Sequence, residues 1–178
     1  MDYILKLRRS FYVLIIGFVN LLLWILPFNL LRVMLLKLCG VTCGSSIIVS
    51  RGVRLDFPWR LKIGENSCIG RAVYLDCRGG SIHIGSNSDI SEGAIVYTLS
   101  HDINSVSFDV KIGNVIVGSR CWVCARSIIL PRSVLGKGSV LSANSVFSGR
   151  SDEFSLLVGN PARCVKKLLS NRALMVRS

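Results

Sequence analysis

The strongest constraint on how this chain folds is a repeat of six residues. From Val117 it runs VGSRCW, VCARSI, ILPRSV, LGKGSV, LSANSV and then Phe147. The first residue of each six is large and apolar: Val117, Val123, Ile129, Leu135, Leu141, Phe147. The fifth is small: Cys121, Ser127, Ser133, Ser139, Ser145. A helix repeats about every 3.6 residues and a strand about every 2, so neither gives this period. Each six is therefore one short flat face, three faces close a triangular coil, and the coils stack as a parallel β-helix. The large residue points into the tube. The small one sits where the wall turns and room is short.

The same frame extends back along the chain. It starts loosely at Cys43, Val49 and Leu55 and is interrupted by Phe57-Pro58-Trp59. It then locks at Ile63, Ile69 and Leu75, again at Ile84, Ile90 and Val96, and again at Val117. All twelve frame positions from Ile63 to Phe147 are large and apolar. If about half of all positions are apolar, chance gives roughly one such run in several thousand. Glycine often follows the frame residue (Gly64, Gly70, Gly85, Gly118, Gly136), where a tight corner excludes a Cβ. Two steps of the frame, Ile63 to Ile84 and Val96 to Val117, take 21 residues, three more than a full coil. The first excess is the turn-rich stretch Asp76 to Ser81. The second, 99–115, replaces two faces and is expected to bulge outward as a loop, where chemistry on a rigid scaffold is usually placed. After Phe147 the sequence predicts a strand over Ser155 to Val158, a turn at Gly159-Asn160-Pro161-Ala162, and a short basic helix over Arg163 to Leu169.

The N-terminus has a different character. Phe11 to Phe28 is 18 residues without a charge, near the lower limit for a membrane-spanning helix. No small-residue cleavage site follows, which argues against a signal peptide. Pro27 breaks the run, and Asn29 is placed to cap a second helix, Leu30 to Leu38, with Arg32 and Lys37 on its polar side. Positive charge flanks both ends, so the charge rule for orientation does not decide. A spanning helix, a helix pair dipping into one leaflet, and an apolar helix packed on a neighbouring subunit all fit. The expected organisation is a membrane-associating helical segment over 1–40, a β-helix domain over 41–169, and a basic tail over 170–178. The fold class is all-β with an apolar helical start and a short C-terminal helix.

The formal charge of +12 is spread in a telling way. Basic residues flank the apolar start (Lys6, Arg8, Arg9, Arg32, Lys37) and crowd the end (Arg163, Lys166, Lys167, Arg172, Arg177). Few aromatics alternate with them, which favours a membrane surface and small anionic ligands over nucleic acid. There are seven cysteines, an odd number, which fits a reducing compartment. Cys121-x-x-Cys124 has a redox or zinc spacing, but no second pair or histidine cluster accompanies it, so buried small hydrophobes and no metal are expected. Of the two histidines, His83 lies between Ile82 and Ile84 and points outward as a surface residue. His101 stands at the root of the long loop, just before Asp102. Its imidazole could take a proton from a hydroxyl near neutral pH; on its own, a loop histidine with no role is the commoner case.

Several stretches in order change that balance: FPWRLKIGENSCIG (Phe57 to Gly70), YTLSHD (Tyr97 to Asp102), the hexads with Trp122, LSANSV (Leu141 to Val146) and GNPAR (Gly159 to Arg163). Over about 43–169 the chain resembles the hexapeptide-repeat acyltransferases of the left-handed β-helix fold. Within them it is most similar to sugar O-acetyltransferases of bacterial polysaccharide synthesis, including the colanic acid type, and to galactoside and maltose acetyltransferases. The resemblance implies the left-handed coil, acetyl-CoA as co-substrate and a homotrimer. It implies that His101 is the general base on the acceptor hydroxyl, with Asp102 or a backbone carbonyl orienting its ring. Coenzyme A would lie along the wall between two subunits, touching Ala125, Ala143 and Ser148, with Arg163 and Lys166 at its phosphates. Trp122 would flank the acceptor pocket. Asp76, Ser91 and Glu92 fall on the acceptor side, and Asp76 and Glu92 are taken as its acidic contacts.

There are departures: Leu99-Ser100 where many relatives carry glycine before the histidine, Cys124 for a common glycine, and Leu130 where small residues are frequent. The implied function is acetyl transfer to a sugar hydroxyl in surface polysaccharide assembly, for an acceptor held at the cytoplasmic face of the inner membrane. The alternatives are a small free acceptor (sugar, amino sugar or antibiotic) and a non-catalytic scaffold. A metal-dependent anhydrase on the same fold would need three histidine ligands, and the chain has two histidines.

Overall fold

The computed structural model describes residues 2–170, so most of the expected basic tail lies outside the described residues. Three parallel sheets form the walls of a tube. Wall A stacks Thr42–Cys43, Leu61–Ile63, Ile82–Ile84, Val115–Val117 and Val134–Leu135. Wall B stacks Ile48–Val49, Cys68–Ile69, Asp89–Ile90, Trp122–Val123, Val140–Leu141 and Ser155–Gly159. Wall C stacks Arg54–Asp56, Tyr74–Asp76, Ile95–Tyr97, Ile128–Ile129 and Val146–Phe147. The chain visits A, B and C in turn, and each frame residue pairs with the frame residue one coil away, as Ile69 does with Ile90.

The hexad frame is the core. All twelve frame residues from Ile63 to Phe147 are buried, as are the small residues Cys121, Ser127, Ser133, Ser139 and Ser145. Burying each large frame side chain contributes about 1.5–3 kcal/mol. At the corner between walls A and B, hydroxyls tie coil to coil. Ser67 donates to the Gly85 carbonyl (2.9 Å) and accepts from the Ser88 amide (3.1 Å). Ser88 repeats this with the Gly118 carbonyl (2.9 Å) and the Cys121 amide (3.1 Å). Gly85 shows why glycine follows the frame: a Cβ there would stand 2.5 Å from the Ser119 amide nitrogen of the next coil. The bend itself falls to left-handed residues such as Asn66, Asn87 and Arg120, with φ of 51°, 57° and 60°.

Two helices, α1 (Asp2–Ile25) and α2 (Asn29–Leu38), close the first coil. Ile16, Val19 and Leu23 form one buried stripe of α1, and Leu36 is buried from α2. The open strand edges of that coil are met by side chains. Asn20 donates to the Leu55 carbonyl (3.1 Å) and accepts from its amide (2.9 Å). Asn29 donates to the Ile47 carbonyl (3.0 Å) and accepts from the Val49 amide (2.8 Å). The Tyr12 hydroxyl accepts from the Phe57 amide at 2.8 Å. Asn29 thus does not cap its helix as expected, because its amide is engaged by wall B. Arg32 is likewise not on a polar side. It is 6% exposed, and its Nε donates to the Val49 carbonyl at 2.7 Å. The opposite helical face is apolar and open, with Phe11, Leu14, Phe18, Trp24, Phe28 and Leu30 all more than half exposed. No described helix is long and apolar enough to cross a membrane.

Two other expectations are corrected. The expected C-terminal helix over Arg163 to Leu169 is a strand, Ala162–Lys167, running back antiparallel along Ser155–Gly159. The tight Gly-Asn-Pro turn returns the chain onto the unpaired edge of wall B. The exposed Lys166 and Lys167 then blunt the new edge. The expected loop 99–115 is a β-hairpin at the corner between walls C and A, in which Leu99–His101 pairs antiparallel with Val110–Ile112. Ile103, Val106, Phe108, Val110 and Ile112 are exposed on it.

Candidate active site

Wall B carries an ordered face. The residues just before its frame positions point away from the tube: Ile48, Cys68, Asp89, Trp122, Val140. Two residues after the frame, at the corner towards wall C, stand Arg51, Arg71, Glu92, Ala125 and Ala143. Adjacent coils are one strand spacing apart, about 4.8 Å, so each series is a straight row along the tube. Between the rows lies a cleft of ≈ 560 Å³ whose lining includes Arg32, Arg51, Arg71, Asp89, Glu92 and Trp122. The Trp122 indole donates to Ser91 Oγ at 2.9 Å, and Ser91 donates to Asp89 Oδ1 at 3.3 Å. That chain fixes the tryptophan ring against the acidic part of the cleft.

Ala125 and Ala143 continue the row past the cleft, joined by the Asn144 amide donating to the Ala125 carbonyl at 3.1 Å. Small residues here leave an open shelf. Arg163 and Lys166 lie on the last strand of the same wall, both exposed. They are three strand spacings beyond Trp122, about 14 Å. Glu92, Trp122, Ala125, Ala143, Arg163 and Lys166 therefore share one face in the order cleft, shelf, basic end.

His101, Asp102, Asp76 and Ser148 do not share it. They fall at the corner between walls C and A, across wall C from the shelf. His101 is exposed, its Nδ1 lies 3.0 Å from the Phe108 carbonyl, and its ring stacks on the Phe108 ring at 4.0 Å and 14°. A carbonyl only accepts, so Nδ1 is the donor in this contact, and in the neutral imidazole the lone pair then sits on Nε2. Asp102 does not touch the ring; its Oδ1 accepts from the Asn104 amide at 3.0 Å. Asp76 is fully buried and clasped by Arg78, with Nε at 2.9 Å and Nη2 at 2.8 Å. Its carboxylate holds the Arg78 guanidinium above its ordinary range. Nearby, burial pushes the Cys77 thiol up to about 12. Cys121 is buried with its thiol donating to the Gly136 carbonyl at 3.1 Å, and His83 is exposed. Among the described residues no group of three His, Cys, Asp or Glu could hold a metal ion.

Sequence reasoning missed Arg51, Arg71 and Asp89 as cleft residues. The signal was in the frame: Arg51, Arg71 and Glu92 hold the same hexad position as Ala125 and Ala143, and Asp89 holds that of Trp122.

No protein-family model matches the chain. A Dictyostelium discoideum protein named as an acetyltransferase is 34% identical over 136 residues, covering 74% of this chain and 70% of that one. The Escherichia coli protein WcaF, named for acetyl transfer in colanic acid biosynthesis, is 31% identical over 100 residues. That match covers 56% of this chain and only 54% of WcaF, about half its length. A hexapeptide-repeat acetyltransferase from Vibrio cholerae, solved with acetyl-coenzyme A, superposes with a TM-score of 0.79 at 23% identity. It covers 86% of this chain and 85% of that one. The hexads, the coil they build and these likenesses agree: the chain belongs to the hexapeptide-repeat acetyltransferase family, and its tube is a left-handed parallel β-helix.

Proposed function

We propose that the chain is an acetyl-CoA-dependent O-acetyltransferase acting on a sugar hydroxyl in surface polysaccharide assembly. The observation that carries this is His101. An Nδ1 held by a carbonyl, a stacked ring and an exposed imidazole are what a general base needs before substrate arrives. The acceptor hydroxyl gives its proton to Nε2 as its oxygen attacks the thioester carbonyl. The tetrahedral intermediate then collapses, the C–S bond breaks, and the coenzyme A sulfur leaves with the proton from His101. The Phe108 carbonyl orients the imidazole; Asp102 shapes the turn beside it. Acetyl-CoA would lie on the Ala125–Ala143 shelf with its phosphates towards Arg163 and Lys166, and the acceptor would sit against Trp122 and Glu92.

His101 and Ser148 lie at one corner and the shelf at another, so one chain does not complete this site. A second copy presenting its C–A corner to the B–C corner of the first supplies the base, and three copies close a ring with three sites. The exposed apolar side chains of the hairpin suit such burial. The likeness to WcaF supports the polysaccharide role. The open apolar face of α1 and α2 supports a position on a membrane surface, at the cytoplasmic side where coenzyme A is found.

The test is release of coenzyme A from acetyl-CoA by the full-length protein against a panel of sugars and lipid-linked sugars, with sedimentation to read oligomeric state. Turnover that falls by about 10²–10⁴-fold in His101→Ala, with the oligomer intact, is expected. Near wild-type turnover in that variant refutes the base.

A further inference from the structure

We infer that the N-terminal end of the wall B cleft binds a diphosphate ester, and that the acceptor sugar reaches Trp122 joined through that diphosphate to a lipid. This rests on the acetyl-transfer assignment above and names its acceptor class.

Three arginines line that end. Arg51 and Arg71 are exposed on adjacent coils, about 4.8 Å apart along the row. Arg32 lines the same end from α2 and is buried. The Arg32 contacts are to carbonyls of Val49 and Leu26, and the Nε of Arg51 donates to the Trp24 carbonyl at 3.2 Å. These carbonyls hold Arg32 and Arg51 in place and bring no formal charge of their own. Burial and the like charge of Arg51 both push the Arg32 guanidinium below its ordinary range. A bound anion relieves such a cluster, and the planar fork of arginine suits phosphate oxygens.

The rest of the cleft fits what such an ester carries. Moving along the row, the basic end gives way to Asp89, Glu92 and the Trp122 ring, groups that accept hydroxyl hydrogen bonds and cover a sugar face. The Arg51 coil and the Trp122 coil are three spacings apart, about 14 Å, room for one sugar and a diphosphate. On the other side of the arginines the surface turns apolar. The Trp24 ring lies over Gly52, whose Cβ would meet it at 2.8 Å. Trp24 and its neighbour Ile25 are 56% and 52% exposed, and Phe28 and Leu30, at the start of α2, are 68% and 69% exposed. A chain leaving the diphosphate in that direction meets hydrocarbon, which suits a prenyl tail and offers a nucleoside few polar partners.

The test titrates the full-length protein with farnesyl diphosphate, farnesol, inorganic pyrophosphate and uridine diphosphate, followed by tryptophan fluorescence below the micelle concentration. Farnesyl diphosphate is expected to bind at least about tenfold more tightly than each of the others. The variant Arg51→Gln/Arg71→Gln, changed at two exposed positions, is expected to lose that advantage while its farnesol binding stays the same. Farnesyl diphosphate binding equally well to wild type and variant overturns the anion site. Uridine diphosphate or farnesol matching farnesyl diphosphate overturns the lipid-linked acceptor. A parallel coenzyme A titration keeps the two readings apart: an arginine-dependent diphosphate site in a protein that ignores coenzyme A sinks the transferase assignment and leaves the anion site standing.

Discussion

Replacing Asn29 by alanine probes how the helices close the coil. The Asn29 amide makes two bonds to wall B, donating to the Ile47 carbonyl at 3.0 Å and accepting from the Val49 amide at 2.8 Å. Alanine leaves both backbone groups without a partner at a partly buried edge, at about 1–3 kcal/mol for each unsatisfied group. Its better helix propensity offsets about 0.5 kcal/mol, and some water reaches the edge. The net expectation is a loss of about 2–4 kcal/mol. For a chain of this size each kcal/mol moves the melting temperature by about 2–4 °C, so calorimetry should show a fall of about 5–15 °C. Met34→Ala, at a site 52% exposed on the same helix, is the control and should lose under about 0.5 kcal/mol. If Asn29→Ala is as mild as Met34→Ala, water already satisfies the first coil, and the argument that α1 and α2 serve as its polar lid is wrong.

Phe108→Ala keeps the carbonyl that orients His101 but removes the stacked ring. Turnover should fall by about tenfold, the worth of one aromatic contact, with the KM for acetyl-CoA unchanged; a loss as large as that of His101→Ala would mean that the ring does more than hold the imidazole. Gly85→Ala places a Cβ 2.5 Å from the Ser119 amide nitrogen and should cost at least about 1–3 kcal/mol in urea unfolding. With its thiol pushed up to about 12 by burial, Cys77 should resist a disulfide reagent at pH ~8 in the native protein, while exposed Cys164 is modified, as peptide mapping would show. Changing Phe11, Phe18 and Trp24 to glutamine should preserve the fold, since all three are exposed, yet release the protein from anionic liposomes in a flotation assay.

The walls were legible because the hexad period is unusual and each frame residue meets one requirement, filling the tube. Ile69 and Ile129 are fully buried for that reason. The last strand was not legible. Arg163 to Leu169 has no frame residue, and its conformation is decided by the edge of wall B, which local sequence does not describe. The hairpin was foreseen as an excursion because its length breaks the step from Val96 to Val117. Its pairing was not foreseen, since Ser100, Lys111 and their neighbours lack a clear alternation. Arg32 was misplaced for a related reason: a charge on an amphipathic helix is assigned to the wet side, and only the carbonyls of Val49 and Leu26 explain why this one is buried.

The same frame that identifies the core also orders the residues of the proposed site, if it is followed outward. A residue in a coil has fixed neighbours one coil up and down, so every second residue after a wall B frame position belongs to one row. Along that row Arg51, Arg71, Glu92, Ala125 and Ala143 change from cationic to acidic to small. Packing inside the tube imposes no such order, because these side chains do not contribute to it. An ordered change of chemistry along a surface row, about 19 Å from first to last, suits the proposed pair of elongated ligands laid end to end, with the basic end for one partner's phosphates and the small end for the other. His101 stays off that row because a coil position is shared with the wall. An excursion such as the 99–115 hairpin frees a side chain from the stack, which the proposed reach to a neighbouring copy's row requires.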